Sequence, residues 1–430
     1  MGALLLGGAP VAHAALSPAE RTIGATVDAG HETAVALLER LVNQNSGSMN
    51  LAGVKAVADM LRPEYEALGF TVTWKPMDAA KRAGHLIAVH KGRAGGTKML
   101  LIGHLDTVFE PDSPFQTFVR EGDFARGPGA ADDKGGVATM LLALRAMQAA
   151  GTLKNAHIEV VLTGDEEDSG DPVSVARADL IAAGKRADVA LDFEGLSQEG
   201  GKDMGSIARR SSNSWTLTAT GTSGHSSGIF SASAGDGAIY ELARIITAFR
   251  KELPEPDLTF NVGLIGGGQS ADIDKDGVRI AVTGKTNIIP PVAVAKGDFR
   301  TLSEEQTRRV QAKMQAIVNA GHLTGTGASI AFDLGYPSMA PTDGNRALLA
   351  RLNGINRDLG LAEMPALDPL KRGAGDISFV AADVDGLVGL GPASSGDHSP
   401  AEKVDLVSMK RQAKRAAILM SRLAAEKGRK

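Results

Sequence analysis

Lys98-Met99-Leu100-Leu101-Ile102-Gly103-His104-Leu105-Asp106-Thr107-Val108 sets the frame for the whole chain. Residues 98–102 have the length and apolar character of a buried strand. His104 and Asp106 therefore fall where a strand gives way to a loop. Side chains two apart on a strand share a face. An imidazole and a carboxylate then project together at the mouth of an α/β sheet, where such folds hold their ligands. Asp106 suits either of two tasks: binding a metal itself, or fixing the tautomer of a metal-binding His104. A His-x-Asp pair alone is also an ordinary polar loop, so the surrounding chain has to decide.

Outward from this stretch, strands alternate with helices. Residues 32–42 carry helical periodicity and stop at Ser46-Gly47-Ser48; residues 51–68 form a second amphipathic helix ended by Gly69. Residues 71–74 and 86–89 read as strands. Residues 134–150 read as a helix with Gly135-Gly136 in its first turn, and 158–162 as a strand running into Thr163-Gly164-Asp165-Glu166-Glu167. Residues 175–183 follow as a helix, and 189–194 as a strand that again ends in carboxylates. This alternation predicts a doubly wound, mainly parallel α/β sheet.

From residue 211 the pattern changes. A strand at 215–220, a helix at 237–253, strands at 258–265 and within 285–299, a helix at 303–320 and a strand at 329–334 give the β-α-β-β-α-β order of a ferredoxin-like α+β domain. Ser303-Glu304-Glu305-Gln306 opens its second helix with a capping-box signature. After Pro337 the first pattern returns, with a helix at 345–359, a short buried strand at 386–391, the polar loop Gly396-Asp397-His398-Ser399-Pro400 and a closing helix at 404–425. The expected division is a first part of the α/β domain at 17–210, an inserted domain at 211–334 and a second part of the α/β domain at 335–430.

A length of 430 residues favours two domains over one. Apolar content of 43% and charged content of 22% are ordinary for a globular chain. The net charge of −4, from well-mixed charges, argues against a nucleic-acid binder or a polybasic membrane anchor. Aromatic residues make up only 4%, too few for base-stacking platforms. Cysteine is absent, so any metal must be held by His and carboxylates. Residues 1–16 are apolar and small, with Ala12-His13-Ala14 before a cleavage-like point, and suggest a secretory signal lacking its basic start. The expected location is periplasmic or secreted, with a cytoplasmic chain as the alternative. No other stretch approaches the ~20 apolar residues that span a bilayer.

His104/Asp106, Asp132/Asp133, Glu166/Glu167 and Asp192/Glu194 all lie just past an apolar strand or in a Gly-rich loop, and His398 lies in the late polar loop. Carboxylates gathered in one crevice repel one another and are costly to desolvate unless a cation neutralises them. Two His, several carboxylates and no Cys suit a pair of Zn²⁺ ions, with Mn²⁺ or Co²⁺ as alternatives. Asp192 and Glu194 share a strand face, so spacing does not choose between them. His31, His85, His90, His157 and His322 have no partner pattern and read as surface or satisfied core residues.

His104-Leu105-Asp106-Thr107-Val108, the run from Gly127 to Gly136, Asp165-Glu166-Glu167 and the late His398 together resemble the M20 family of di-zinc metallopeptidases, most nearly its glutamate carboxypeptidase branch. The likeness covers nearly the whole chain after residue 16. It implies that His104 and His398 each bind one zinc, that Asp132 bridges both, and that the Asp132–Asp133 peptide bond is cis. It further implies that Glu167 joins the ion of His398 and Glu194 the ion of His104. Asp106 would orient His104, and Glu166 would be the general base.

In the inserted domain, the segment from Gly221 to Gly228 resembles the family's Gly-x-x-x-His-x-Gly run with one extra residue. This implies that His225 stabilises an oxyanion in a neighbouring subunit, hence a homodimer. Asn287 and Arg300 match positions of the family's second domain, which implies substrate contact for Asn287 and either substrate contact or pairing within the domain for Arg300; Gly373 opens a Gly-rich run, Gly373-Ala374-Gly375-Asp376, that resembles the loop shaping the substrate pocket. Where the glutamate-specific branch carries Arg, this chain has Leu334-Gly335-Tyr336-Pro337, which leaves a carboxylate fork to Arg209, Arg210 or Arg372 and weakens the case for glutamate. The expected activity is zinc-dependent cleavage of an amide bond, releasing a C-terminal residue from a short peptide or N-acyl amino acid. An aminoacylase, deacetylase or dipeptidase reaction is the alternative, and a non-catalytic binding protein is the more distant rival.

Overall fold

Met99, Leu100, Leu101 and Ile102 are each at most 1% exposed, so Lys98–His104 is buried on both faces, which is why it reads as an unbroken apolar run. The computed structural model describes residues 16–428. The expected signal segment at 1–16 lies outside them except for Leu16. The strand sits inside a six-stranded sheet in the order Thr71–Met77, Arg82–His90, His157–Thr163, Lys98–His104, Val189–Asp192, Gly386–Leu387. The last four strands run parallel, and Arg82–His90 joins them antiparallel, with Thr71–Met77 antiparallel to it in turn. The sheet is thus mainly parallel with an antiparallel edge.

The parallel register places His104 beside Thr163 and Ile102 beside Asp192. The loops that follow these strands therefore emerge at one edge of the sheet. Helix Lys134–Ala149, buried over most of its surface, and helices Pro18–Asn43 and Leu406–Ala424 close the core with residues such as Leu38, Leu141 and Leu419. Pro18–Asn43 begins well before the periodic stretch at 32–42. Ser17 accepts from the Glu20 N–H while the Glu20 carboxylate accepts from the Ser17 N–H, a capping box that starts the helix there. The helix expected at 175–183 is broken into Val173–Ala176 and Ala178–Arg186. At the break, Arg177 points inward to the fully buried Asp165, with Nη1 2.6 Å from Oδ1.

The chain forms two compact units, one of residues 1–207, 342–367 and 383–430, the other of 208–341 and 368–382. The linear division at 211–334 misses the segment 368–382, which packs with the second unit, because a short return carries no change of periodicity. The second unit is a four-stranded antiparallel sheet in the order Thr259–Gly268, Val292–Arg300, Ser212–Gly221, Thr326–Tyr336. Helices Ala238–Glu252 and Glu304–Asn319 bury Leu242, Ile245, Phe249, Val310 and Met314 with Trp215 and Phe299 of that sheet. Ser303 accepts from the Gln306 N–H, but Gln306 Oε1 reaches back to the Leu302 N–H, so the box is offset by one residue. A hairpin, Ser270–Ile273 with Ile280–Thr283, adds to this unit where the sequence had marked no strands. Among the described residues no helix is long and apolar enough to cross a membrane.

Candidate metal centre

His104 ends its strand 1% exposed and held from two sides. Its backbone N–H donates to Asp133 Oδ2 (3.3 Å), and its Nδ1 lies 3.1 Å from the Asp106 carbonyl oxygen and 3.4 Å from Asp106 Oδ1. A neutral imidazole donating from Nδ1 presents the Nε2 lone pair outward. That Nε2 faces Asp132 Oδ1 at 2.9 Å. His398 Nε2 faces Asp132 Oδ2 at 3.3 Å and Glu167 Oε2 at 3.1 Å. Asp132 therefore stands between two imidazoles, one on each oxygen.

The packing explains how this turn is shaped. The Asp132–Asp133 peptide bond is cis. Asp133 is wholly buried at the start of helix Lys134–Ala149, between Gly103 and Gly136. A Cβ at Gly103 would come 2.6 Å from Asp133 Oδ2, and one at Gly136 would meet Asp133 Oδ1 at 2.1 Å and the Phe193 carbonyl at 2.0 Å. Both glycines are thus required by close approach. Burial, then the charges of Asp132, Glu194 and Asp192, push the Asp133 carboxyl well above its ordinary value.

Asp106, fully buried, organises the next loop. Oδ1 accepts from the Glu166 N–H (3.0 Å); Oδ2 accepts from the Glu167 N–H (3.0 Å) and the Ser48 hydroxyl (2.6 Å). Burial opposes its charge, yet His104, Ser48 and these amides hold it below the usual carboxylate range. Glu166 and Glu167 are thereby placed by their backbones. Glu194 is buried, and its N–H donates to Asp192 Oδ1 (2.9 Å), which commits that Asp192 oxygen to the turn.

Two side chains the sequence did not single out belong here. Ser48 bonds Asp106, as above. Glu402, 1% exposed, accepts from the Ala131 N–H (2.9 Å) and the Asp132 N–H (3.4 Å), and burial pushes its carboxyl up to about 8. A lone Glu near a late loop carries no periodic or motif signal, so only the fold reveals it.

The donor set fits divalent cations. His104, Asp132 and Glu167 each offer a ligand atom within 4.8 Å of the others. At both imidazoles an Nε2 faces carboxylate oxygens, an arrangement that either a proton or a divalent cation between them satisfies. With protons alone, His398 is pushed up to about 11 by Asp132 and Glu167. His104 is likewise driven well above its ordinary value, its bonds to Asp106 and Asp132 overcoming burial. Burial, in turn, lifts Glu167 to about 7.

The residues that the sequence marks for substrate contact or oxyanion binding lie on the second unit. His225 is exposed, with Nδ1 2.8 Å from Ser227 Oγ, and its short strand pairs with Ile288–Ile289 beside Asn287, whose carbonyl accepts the Ser226 N–H. Arg300 Nε lies 3.4 Å from Asp298. Arg209 Nε donates to the Gly373 carbonyl (2.7 Å), and its Nη2 bonds the Ala374 carbonyl. His85 is a satisfied core residue, with Nε2 2.7 Å from the Ala176 carbonyl and Nδ1 accepting the Gly164 N–H.

Comparison with known proteins follows the same pattern. The model of peptidase family M20/M25/M40 matches residues 100–423. Carboxypeptidase G2 of Pseudomonas sp. (strain RS-16) is 27% identical over 398 residues, covering 91% of this chain and 89% of the relative. A succinyl-diaminopimelate desuccinylase of Leptothrix cholodnii is 25% identical, covering 88% and 96%. Among solved structures, aminopeptidase PepT of Bacillus cereus superposes with a TM-score of 0.69 at 19% identity, covering 92% of this chain and 99% of that one. A Bacillus subtilis protein described as a dinuclear metal-binding peptidase of family M20 does so with a TM-score of 0.64 at 15% identity, covering 92% and 99%. These structural likenesses speak for the fold.

Proposed function

Since the chain belongs to peptidase family M20/M25/M40 and is a hydrolase of the metallo-carboxypeptidase and amidohydrolase kind, we propose that it cleaves an amide bond with two zinc ions, releasing a C-terminal residue from a short peptide or N-acyl amino acid. The observation that carries this reading is Asp132, with a different imidazole Nε2 opposite each of its two oxygens. His104 and Glu194 would hold one ion, His398 and Glu167 the other, with Asp132 shared. When bound, such ions polarise a scissile carbonyl and acidify an attacking water. Glu166 takes the proton from that water and returns it to the leaving amine. Asp106 fixes the imidazole of His104 and the amides of Glu166 and Glu167, so base and ligand are set by one buried carboxylate.

Arg209 is committed to the loop carbonyls at 373 and 374. Arg210 Nη1 bonds Thr259 Oγ1. The second unit exposes Phe230, Ile239 and Tyr240 together, the Phe230 and Tyr240 rings 5.5 Å apart, a patch suited to a second copy of the chain. That supports a homodimer in which His225 serves its neighbour. The desuccinylase relatives favour N-acyl amino acids as the second substrate class.

The test is a hydrolysis screen of dipeptides and N-acyl amino acids, varying the C-terminal residue, on protein loaded with zinc and on chelated protein. Cleavage by loaded protein and its loss on chelation are expected. Protein that holds two zinc ions yet cleaves no amide in the screen overturns the reading.

A further inference from the structure

We propose that Glu402 is a positioning residue that ties the loop carrying His398 to the turn carrying Asp132, so that the cation held through His398 depends on it more strongly than the one held through His104. This rests on the two-ion reading above.

The two half-sites are held very differently. His104 is 1% exposed at the end of a central strand, anchored through its Nδ1 and its backbone N–H. The His398 side chain is 57% exposed, on a loop whose backbone turns through positive φ at Gly396 (77°) and again at His398 (61°). The surrounding bonds are local: the Ser399 N–H and hydroxyl both bond the Gly396 carbonyl, and the Ala401 N–H donates to Ser399 Oγ. The ends of the loop are set by strands Ser394–Ser395 and Lys403–Asp405, which pair with each other and, through the second, with Phe124–Arg126. Glu402 adds a direct tie from this loop to the turn that carries Asp132. Its own N–H donates to the Ser399 carbonyl (2.9 Å), and its buried carboxylate oxygen accepts from the Ala131 and Asp132 amides across the fold. One side chain therefore links the loop of one imidazole to the backbone of the shared carboxylate.

Reach, more than charge, is what this role demands. Glutamine keeps an acceptor oxygen at the same length, whereas aspartate keeps the charge but is one methylene short. Partners one step removed from a metal ligand typically change affinity by about 10–100-fold. The experiment measures stepwise Zn²⁺ binding to the full chain by competition with chelators of graded strength, with bound zinc counted by mass spectrometry. We expect two ions in the wild type and near-wild-type affinities in E402Q. In E402D one affinity should fall by about tenfold or more while the other falls clearly less. Should E402D not fold, S399A loosens the same loop and is expected to show the same uneven loss. Unchanged affinities in E402D, equal weakening of both ions, or failure of E402Q alongside E402D would each overturn the proposal. A wild-type chain that binds fewer than two ions instead overturns the parent reading.

Discussion

Asp106→Asn is the sharpest test of how the centre is built. The change is isosteric, at a side chain with no exposure. The carboxylate accepts from Glu166, Glu167 and Ser48, and its Oδ1 lies 3.4 Å from His104 Nδ1. An amide can keep only one acceptor oxygen. Its NH₂ is best tolerated on the Ser48 side, because a hydroxyl can rotate to accept. The Glu167 N–H then loses its acceptor. Losing one charge-assisted bond and weakening the others sums to about 2–4 kcal/mol. A displaced Glu167 backbone should also lower kcat/KM by about 100-fold or more. Urea unfolding of metal-free protein, followed by circular dichroism, reads the first effect without help from bound cations. Turnover on the best amide substrate, with zinc in excess, reads the second. A stability loss under about 0.5 kcal/mol would refute the assignment of Asp106 as the organiser of this loop.

Two further predictions follow from the same physical accounting. Glu166→Ala should retain two zinc ions per chain while kcat drops by about 10²–10⁴-fold; turnover at the wild-type rate would remove Glu166 as the base. Asp203 is held at about 2 by Arg411, Gln198 and Arg415, against the opposing effect of burial. Its folded value lies below the unfolded value of about 3.9, so its charge adds stability that is present above that pH and is lost as pH falls toward 2. The difference amounts to about 2–3 kcal/mol. Asp203→Asn should therefore lower Tm at pH 6 and flatten the fall in Tm between pH 4 and 2; an unchanged acid limb would show that the pair contributes nothing.

Much of the fold was legible because its signals are local. Residues 98–102 are an apolar run in sequence for the same reason they are buried on both faces: the strand is central, with parallel strands at its edges and helices Lys134–Ala149 and Ala178–Arg186 packed against it. The second unit's β-α-β-β-α-β order was readable from alternation and helical period. Other features depend on partners distant in sequence. Segment 368–382 joins the second unit without any change in composition. The hairpin within 270–283 lies in a Gly- and Asp-rich stretch that looks like a loop. At the centre, His104 and Glu167 stood out just past apolar strands, Asp132 in a Gly-rich loop and His398 in a late polar loop. Ser48 and Glu402 did not, because a hydroxyl or a carboxylate that bonds backbone amides leaves no spacing to read.

The donors that meet at Asp132 are spread along the chain: an imidazole at 104, carboxylates at 132 and 167, and the second imidazole only at 398. During synthesis the early group emerges long before the late one. A chain ending before residue 398 has the imidazole that faces one Asp132 oxygen but not the imidazole that faces the other, so the two-sided arrangement belongs only to chains that reach the final loop.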